Sequence, residues 1–196
     1  MNRKLYMLLL LFVGFAFQIQ AQTIVTIQDD DLVGNTEYSW TKDNIYLLDG
    51  YVFLESGGTL NIEEGTVIKG KGTPSTGDAA SALIISVGAQ IFAEGTAEEP
   101  IIFTAEGDDT TDPNDLEAID RGLWGGVIVL GDATIARPGG TDNIEGIPAD
   151  QDKASFGGTD DTDNSGVIRY VSIRHGGDVI SNGDEINGLT LGGVGS

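Results

Sequence analysis

Three groups of side chains in this chain carry reactive or ligating chemistry. The first is "GTDDTDNSG", residues 158–166, where Asp161, Asp163 and Ser165 alternate with non-ligating positions and Gly166 follows. Oxygen donors at alternate positions, then a glycine for a sharp turn, form the opening half of a calcium loop. A hard Ca²⁺ ion takes about six to eight oxygens, so Asp160 and nearby backbone carbonyls would have to complete the set. The twelfth position of an EF-hand loop would be Ser172 instead of Glu, so the motif is not an EF-hand. The competing reading is an acidic solvent loop in which Asp and Asn make the turns. A second acidic stretch, "EGDDTTDPND" at 106–115, offers Asp108, Asp109 and Asp112 without ordered ligand spacing.

The second group lies in "GVIRYVSIRHGGD", which holds Arg169, Arg174, Asp178 and the only histidine, His175. The two arginines face outward if Val171 and Ile173 face inward, because side chains alternate along a strand. His175 directly follows a strand, where an exposed polar corner residue is common. The third group is Trp124 and Trp40, whose ring faces, if exposed, could stack on a pyranose. Trp124 equally suits packing against a corner before "GGVIVLG". There is no Cys, hence no disulfide and no Cys–His metal cluster. No Gly-rich loop sits between a strand and a helix, so no phosphate cradle is expected.

The elements that must position these groups are short and β-branched. "TIVTI", "IYLL", "YVFL", "TVI", "ALIISV", "PIIFTA", "GVIVLG", "GVIRYVSI" and "LTL" are separated by Gly, Asn and Asp, an all-β pattern. Only "DPNDLEAIDRGLW" could hold a helical turn. A sandwich of hairpins is hinted at by Asp49-Gly50 and Asn182-Gly183. A solenoid would instead show similarity at a fixed interval, and "SGGTLNIEEGT" at 56–66 returns as "SVGAQIFAEGT" at 86–96. That repeat predicts stacked windings of about twenty residues, with Asn61 and Ile62 under Ile91 and Phe92 and Gly65-Thr66 under Gly95-Thr96. Residues 70–81, 107–121 and 138–165 read as long, mostly acidic corner inserts.

The chain opens "MNRKLYMLLLLFVGFAFQIQAQ", with Arg3 and Lys4 before an apolar run too short to span a bilayer comfortably. This predicts a signal peptide over residues 1–21, cut after Ala21, and a secreted or outer-surface protein with no integral span in its mature form. All 31 acidic residues lie beyond it. So much negative charge excludes nucleic acid and anionic membranes as partners, since both need a cationic face. Polyanionic polysaccharide could bind only where Ca²⁺ or an Arg cluster reversed the field.

"ESGGTLNIEEGTVIKG", "SALIISVGAQIFAEGTAEEPIIFTA", "GLWGGVIVLGDATI", "SGVIRYVSIRHGG" and "EINGLTLGGVGS" together resemble secreted Bacteroidota proteins of the right-handed parallel β-helix, pectin-lyase-like group. Many of these end in a type IX secretion signal. The resemblance covers residues 45–196 and implies β-helix coils, with 22–44 as an N-terminal cap and a C-terminally incomplete sequence. In pectin-lyase-like enzymes an outward Arg or Lys abstracts a proton beside a Ca²⁺-bound carboxylate, or paired Asp residues hydrolyse a glycosidic bond. The "GHG" and "RIK" motifs of the hydrolases are missing here, so no catalytic residue is assigned. The expectation is an all-β, right-handed parallel β-helix with long acidic inserts. It would act as a cell-surface module for adhesion or for binding extracellular polysaccharide, with a polysaccharide lyase or glycoside hydrolase as the alternative. Its expected contacts are Asp160, Asp161, Asp163 and Ser165 for Ca²⁺, and Trp124, Arg169, Arg174 and His175 for glycan.

Overall fold

The computed structural model describes residues 22–148, 151–181 and 184–195. The expected signal peptide and the Asn182-Gly183 turn lie outside them. Among the described residues no helix is long and apolar enough to cross a membrane. The chain winds as a right-handed parallel β-helix, each full winding passing through three sheets in the order A, C, B.

The first winding is β1 (Thr23–Ile27) and β2 (Glu37–Trp40). The second is β3 (Asn44–Leu48), β4 (Tyr51–Leu54) and β5 (Thr59–Ile62). The third is β6 (Val67–Gly70), β7 (Ala82–Ile85) and β8 (Gln90–Glu94). The fourth begins with β9 (Ile101–Ala105) and β10 (Gly126–Leu130). It then makes a small hairpin of β11 (Asp142–Asn143) and β12 (Ser155–Phe156) before β13 (Gly166–Arg169). The last holds β14 (Val171–Ile173), a second hairpin of β15 (Val179–Ser181) and β16 (Asp184–Glu185), and β17 (Leu189–Gly192). Sheet A runs β1-β3-β6-β9-β14, sheet B β2-β5-β8-β13 and sheet C β4-β7-β10-β17, all in parallel pairing.

Residues 22–44, expected as a cap, supply this first winding. A 3-10 turn, Asp29–Asp31, stands where sheet C passes in later windings. There Asp29 Oδ1 accepts the hydrogen bond of Phe53 N on β4 at 3.2 Å. Asp49-Gly50 is not a hairpin turn: β3 and β4 belong to different sheets, and Gly50 takes the corner at φ 101°. A Cβ there would come within 2.4 Å of Asp78 and Thr76 side-chain atoms, so only glycine fits.

The repeat is real, but its register is shifted by one from the alignment on Glu-Gly-Thr. Leu60 pairs with Ile91, Asn61 with Phe92 and Ile62 with Ala93. Leu60, Ile91, Ile62 and Ala93 all lie in the interior cluster. A one-residue slip exchanges the two faces of a strand, so Phe92 points outward beside Asn61. The Gly65-Thr66 correspondence fails as well. After the corner Val67 pairs with Ile102, because residues 95–100 make a longer corner than 63–66.

Two cores result. The first fills the solenoid, with Leu48, Val52, Leu60, Ile68, Leu83, Ile91 and Phe103 among its buried members. The second lies on the outer face of sheet C. There Tyr51, Phe53, Ala82, Ile84, Ile128 and Leu130 are covered by Ile144, Ile147 and Ala154 of the 131–165 insert and by Ile186. The sequence states this in its pattern: "YVFL", "ALII" and "GVIVL" are continuous apolar runs, the mark of strands buried on both faces. Residues 113–124, the one segment expected to hold a helical turn, form only turns and bends.

Candidate functional site

The structure gathers three of the four expected glycan contacts at one corner between sheets A and C, where they anchor the 106–125 insert. Trp124 is fully buried, and its ring fills the space left by Gly70, where a Cβ would approach Trp124 Cε3 to 2.6 Å. Its Nε1 donates to the carbonyl of Arg174 at 2.8 Å. Trp124 therefore offers no ring face to solvent, which corrects its reading as a stacking platform. Trp40 is likewise buried, stacked on Tyr46 at a centroid distance of 4.6 Å.

Arg174 Nε donates to Ser172 Oγ at 3.0 Å, and its guanidinium lies 3.9 Å from the buried Asp108. His175, in the left-handed region at φ 55°, brings Nδ1 to 2.6 Å from the carbonyl of Asp120, while its own carbonyl accepts from Leu123 N. Thr104 Oγ1 also donates to Asp108, and Lys69 Nζ donates to the Asp108 carbonyl at 2.6 Å. Basic side chains here hold down an acidic loop. Asp178 is half-buried, and burial pushes its carboxyl above the ordinary range despite a backbone hydrogen bond from Val179.

The expected calcium ligands point to separate partners. Asp160 Oδ1 accepts from the backbone and hydroxyl of Thr162, Asp161 Oδ1 from Thr134 N, and Asp163 Oδ2 from Ser165 Oγ at 2.8 Å. The Thr162 hydroxyl holds the Asp160 carboxyl below its usual value, and the Thr134 backbone does the same for Asp161. These are turn-forming contacts of the kind Asp makes in loops. Among the described residues no three His, Cys, Asp or Glu side chains gather where they could hold a metal ion. Asp109 likewise accepts from Thr111, and Asp112 from Asn114.

Arg169 stands apart from the others, on sheet B, exposed and paired with Glu94 at 3.1 Å. It borders a feature that the residue-by-residue reading missed. On the outer face of sheet B, Ser39, Asn61, Phe92 and Val167 stack in one column, one per winding. Asn61 Nδ2 donates to Glu37 Oε1 at 2.9 Å within the same face. A shallow groove of about 480 Å³ runs here, lined by Ser39, Asn61, Phe92, Glu63 and Glu94 among others. Phe92 is half-buried and Val167 exposed. A partly exposed aromatic ring beside amide and hydroxyl groups, with carboxylates on the rim, can hold a molecule that has C–H faces and hydroxyl edges. The signal for Phe92 existed in the alternation of "QIFAE", provided the register was right.

A family model described as a pectate-lyase-like β-helix domain matches residues 33–196. Comparison with curated proteins and with solved structures finds no match.

Proposed function

Since this chain belongs to the pectate-lyase-like β-helix family, we propose that it works as an exported binding module. It would lay an extracellular polysaccharide along the outer face of sheet B. The observation that carries this reading is the Ser39–Asn61–Phe92–Val167 column. It repeats a contact residue once per winding, and adjacent windings are about 4.8 Å apart. That is a spacing along which an extended polymer can be followed. Phe92 would supply the flat apolar contact, and Asn61 and Ser39 the hydrogen bonds that orient hydroxyls. Glu37, Glu63 and Glu94 make the face acidic, which favours a neutral polymer over a uronate one. Export rests on the Arg3-Lys4 and apolar pattern of the first 21 residues.

The test is retention of the protein on insoluble neutral polysaccharides, compared with the Phe92→Ala variant. Retention is expected for the parent and a loss of about tenfold for the variant, the scale of one stacked contact. Equal retention of both would sink this face as the binding surface.

One observation favours a second reading, a polysaccharide lyase. On the outer face of sheet A, Lys69 and Arg174 border Thr104 and Asp108, both buried beneath the 106–125 insert, so basic groups and a carboxylate meet there once the insert lifts. Unsaturated product absorbing in the ultraviolet, formed from uronic-acid polymers with Ca²⁺, would favour it over the binding module.

A further inference from the structure

Two long inserts leave the windings near sheets A and C, and they are fastened by different chemistry. The 131–165 insert lies on sheet C through Ile144, Ile147 and Ala154. The 106–125 insert lies over the outer face of sheet A. Over residues 106–123 its one buried residue is a carboxylate, Asp108, 3% exposed. From Asp109 to Glu117 the hydrogen bonds run within the insert, those between Asp109 and Thr111 and between Asp112 and Asn114 among them. Near its end the His175 ring meets the Asp120 carbonyl. Gly107, where a Cβ would meet nothing, and Gly122, at φ 70°, flank the segment.

A buried carboxylate is a costly fastening that holds only while its partners stay in place. Asp108 accepts from Thr104 Oγ1 and lies 3.9 Å from Arg174 Nη1. Lys69, the register partner of Thr104, donates to the carbonyls of Asp108 at 2.6 Å and Glu106 at 3.4 Å. Lys42, Lys71, Arg137, Lys153 and Arg169 each pair with a carboxylate; Lys69 faces neutral carbonyls instead. Asp109 beside it is exposed and turned to Thr111. Two cations therefore share one buried carboxylate, a locally positive spot in a chain of net charge −21.

We infer that the insert is an autoinhibitory cover in which Asp108 stands in for the carboxylate of a sugar-acid ligand. When the cover lifts about Gly107 and Gly122, Lys69 and Arg174 lose their internal anion. They then present two cations beside the hydroxyls of Thr104 and Ser172. A uronate carries the carboxylate and the hydroxyls that such a set takes. Ligand and Asp108 compete for one place, so apparent affinity follows the fraction of molecules with the cover raised. Trp124, fully buried, keeps the far end seated throughout. The ligand class rests on the lyase reading above; the cover rests on its own geometry.

The experiment acetylates the folded full chain briefly with an N-hydroxysuccinimide ester and reads each lysine by mass spectrometry, with Lys42 as reference. In Asp108→Asn, Lys69 should react about tenfold faster than in the parent, the scale of one charge-assisted hydrogen bond. Thr104→Val should give about fivefold. Asp112→Asn, altered within the insert and away from the sheet, should give no change. Trigalacturonate should protect Lys69 in Asp108→Asn at about a tenfold lower concentration than in the parent. Neither cellotriose nor sodium sulfate at equal ionic strength should protect it. An unchanged Lys69 in either variant, once its melting curve shows it folded, would overturn the cover. Absent or equal trigalacturonate protection of the two proteins, or protection by sulfate or cellotriose, would overturn the mimicry. Protection without ultraviolet-absorbing product keeps the cover and removes the lyase. Product formed while Lys69 is unchanged in both variants removes the cover and keeps the lyase.

Discussion

Sheets B and C are laid down by the same windings, yet one keeps its outer face open while the other buries it. The strands of sheet B read "TLNI", "QIFAE" and "GVIR", with outward Asn61, Phe92 and Val167 alternating with inward residues. Those of sheet C read "YVFL", "ALII" and "GVIVL", apolar at successive positions. A strand that shows hydrophobic groups on both faces demands a second covering layer. The chain supplies one in the insert that follows β10, using Ile144, Ile147 and Ala154. The 106–125 insert, just as acidic in appearance, instead packs Trp124 into the interior and is held by polar contacts with Arg174, His175 and Lys69. What an insert does is decided by its few apolar residues and not by its charge.

The most direct way to break this contrast is to cut the same ring from both sheets. Phe53→Ala removes a side chain that is 1% exposed under the insert, and should cost about 3–5 kcal/mol in urea unfolding. A loss below about 1 kcal/mol would mean that the outer face of sheet C is open in solution. Asp49→Asn, at the corner where the chain enters sheet C, should cost about 2–4 kcal/mol. Asp49 is buried against Lys71 at 2.9 Å and accepts from Ser75 and Gln28.

The same carboxylate sets an acid limit. Burial alone would raise its pKa, but the hydrogen bonds from Ser75, Lys71 and Gln28 prevail and hold it well below the carboxylate range. A group depressed in the folded state contributes its full stabilisation above its unfolded pKa, about 3.9. That contribution is lost as pH falls below about 4 toward the folded value. Melting temperature measured against pH should therefore fall less steeply below pH 4 in Asp49→Asn than in the parent. The smallest effect is expected on sheet B. Phe92→Ala should cost about 1–2 kcal/mol, less than Phe53→Ala, because that ring is half-buried and lies outside both cores. A cost like that of Phe53→Ala would place Phe92 inside and reverse the register.

Much of the fold can be read from residue order, and the misses have identifiable causes. The Gly-bounded β-branched runs and the recurring Ser-x-Gly…Glu-Gly-Thr segment point to stacked windings, and the windings are there. Register is harder, because the Glu-Gly-Thr anchor sits in a corner whose length varies between windings, whereas strand pairing tolerates no slip. Alignment on the corner set Ile62 against Phe92; pairing sets Ile62 against Ala93, a large residue on a small one. One position decides which way Phe92 faces, and so the candidate surface could not be found from the repeat alone. The calcium-like spacing of Asp161, Asp163 and Ser165 is also the spacing of consecutive side-chain-capped turns, and the two are indistinguishable by residue type. The contact of Lys153 with Asp29 and Glu55 has no local signature at all. Lys153 and Asp29 are 124 positions apart, and neither is flanked by a recognisable motif.

That long reach has a mechanical consequence. In a simple solenoid each winding touches only its neighbours, so a terminal one can peel away while the rest holds. Here Lys153, in the insert of the fourth winding, reaches Asp29 on the first and Glu55 on the second. Fraying from the amino-terminal end must also break that part-exposed ion pair, so peeling the first winding costs a further ~0–1 kcal/mol and is coupled to a segment far along the chain.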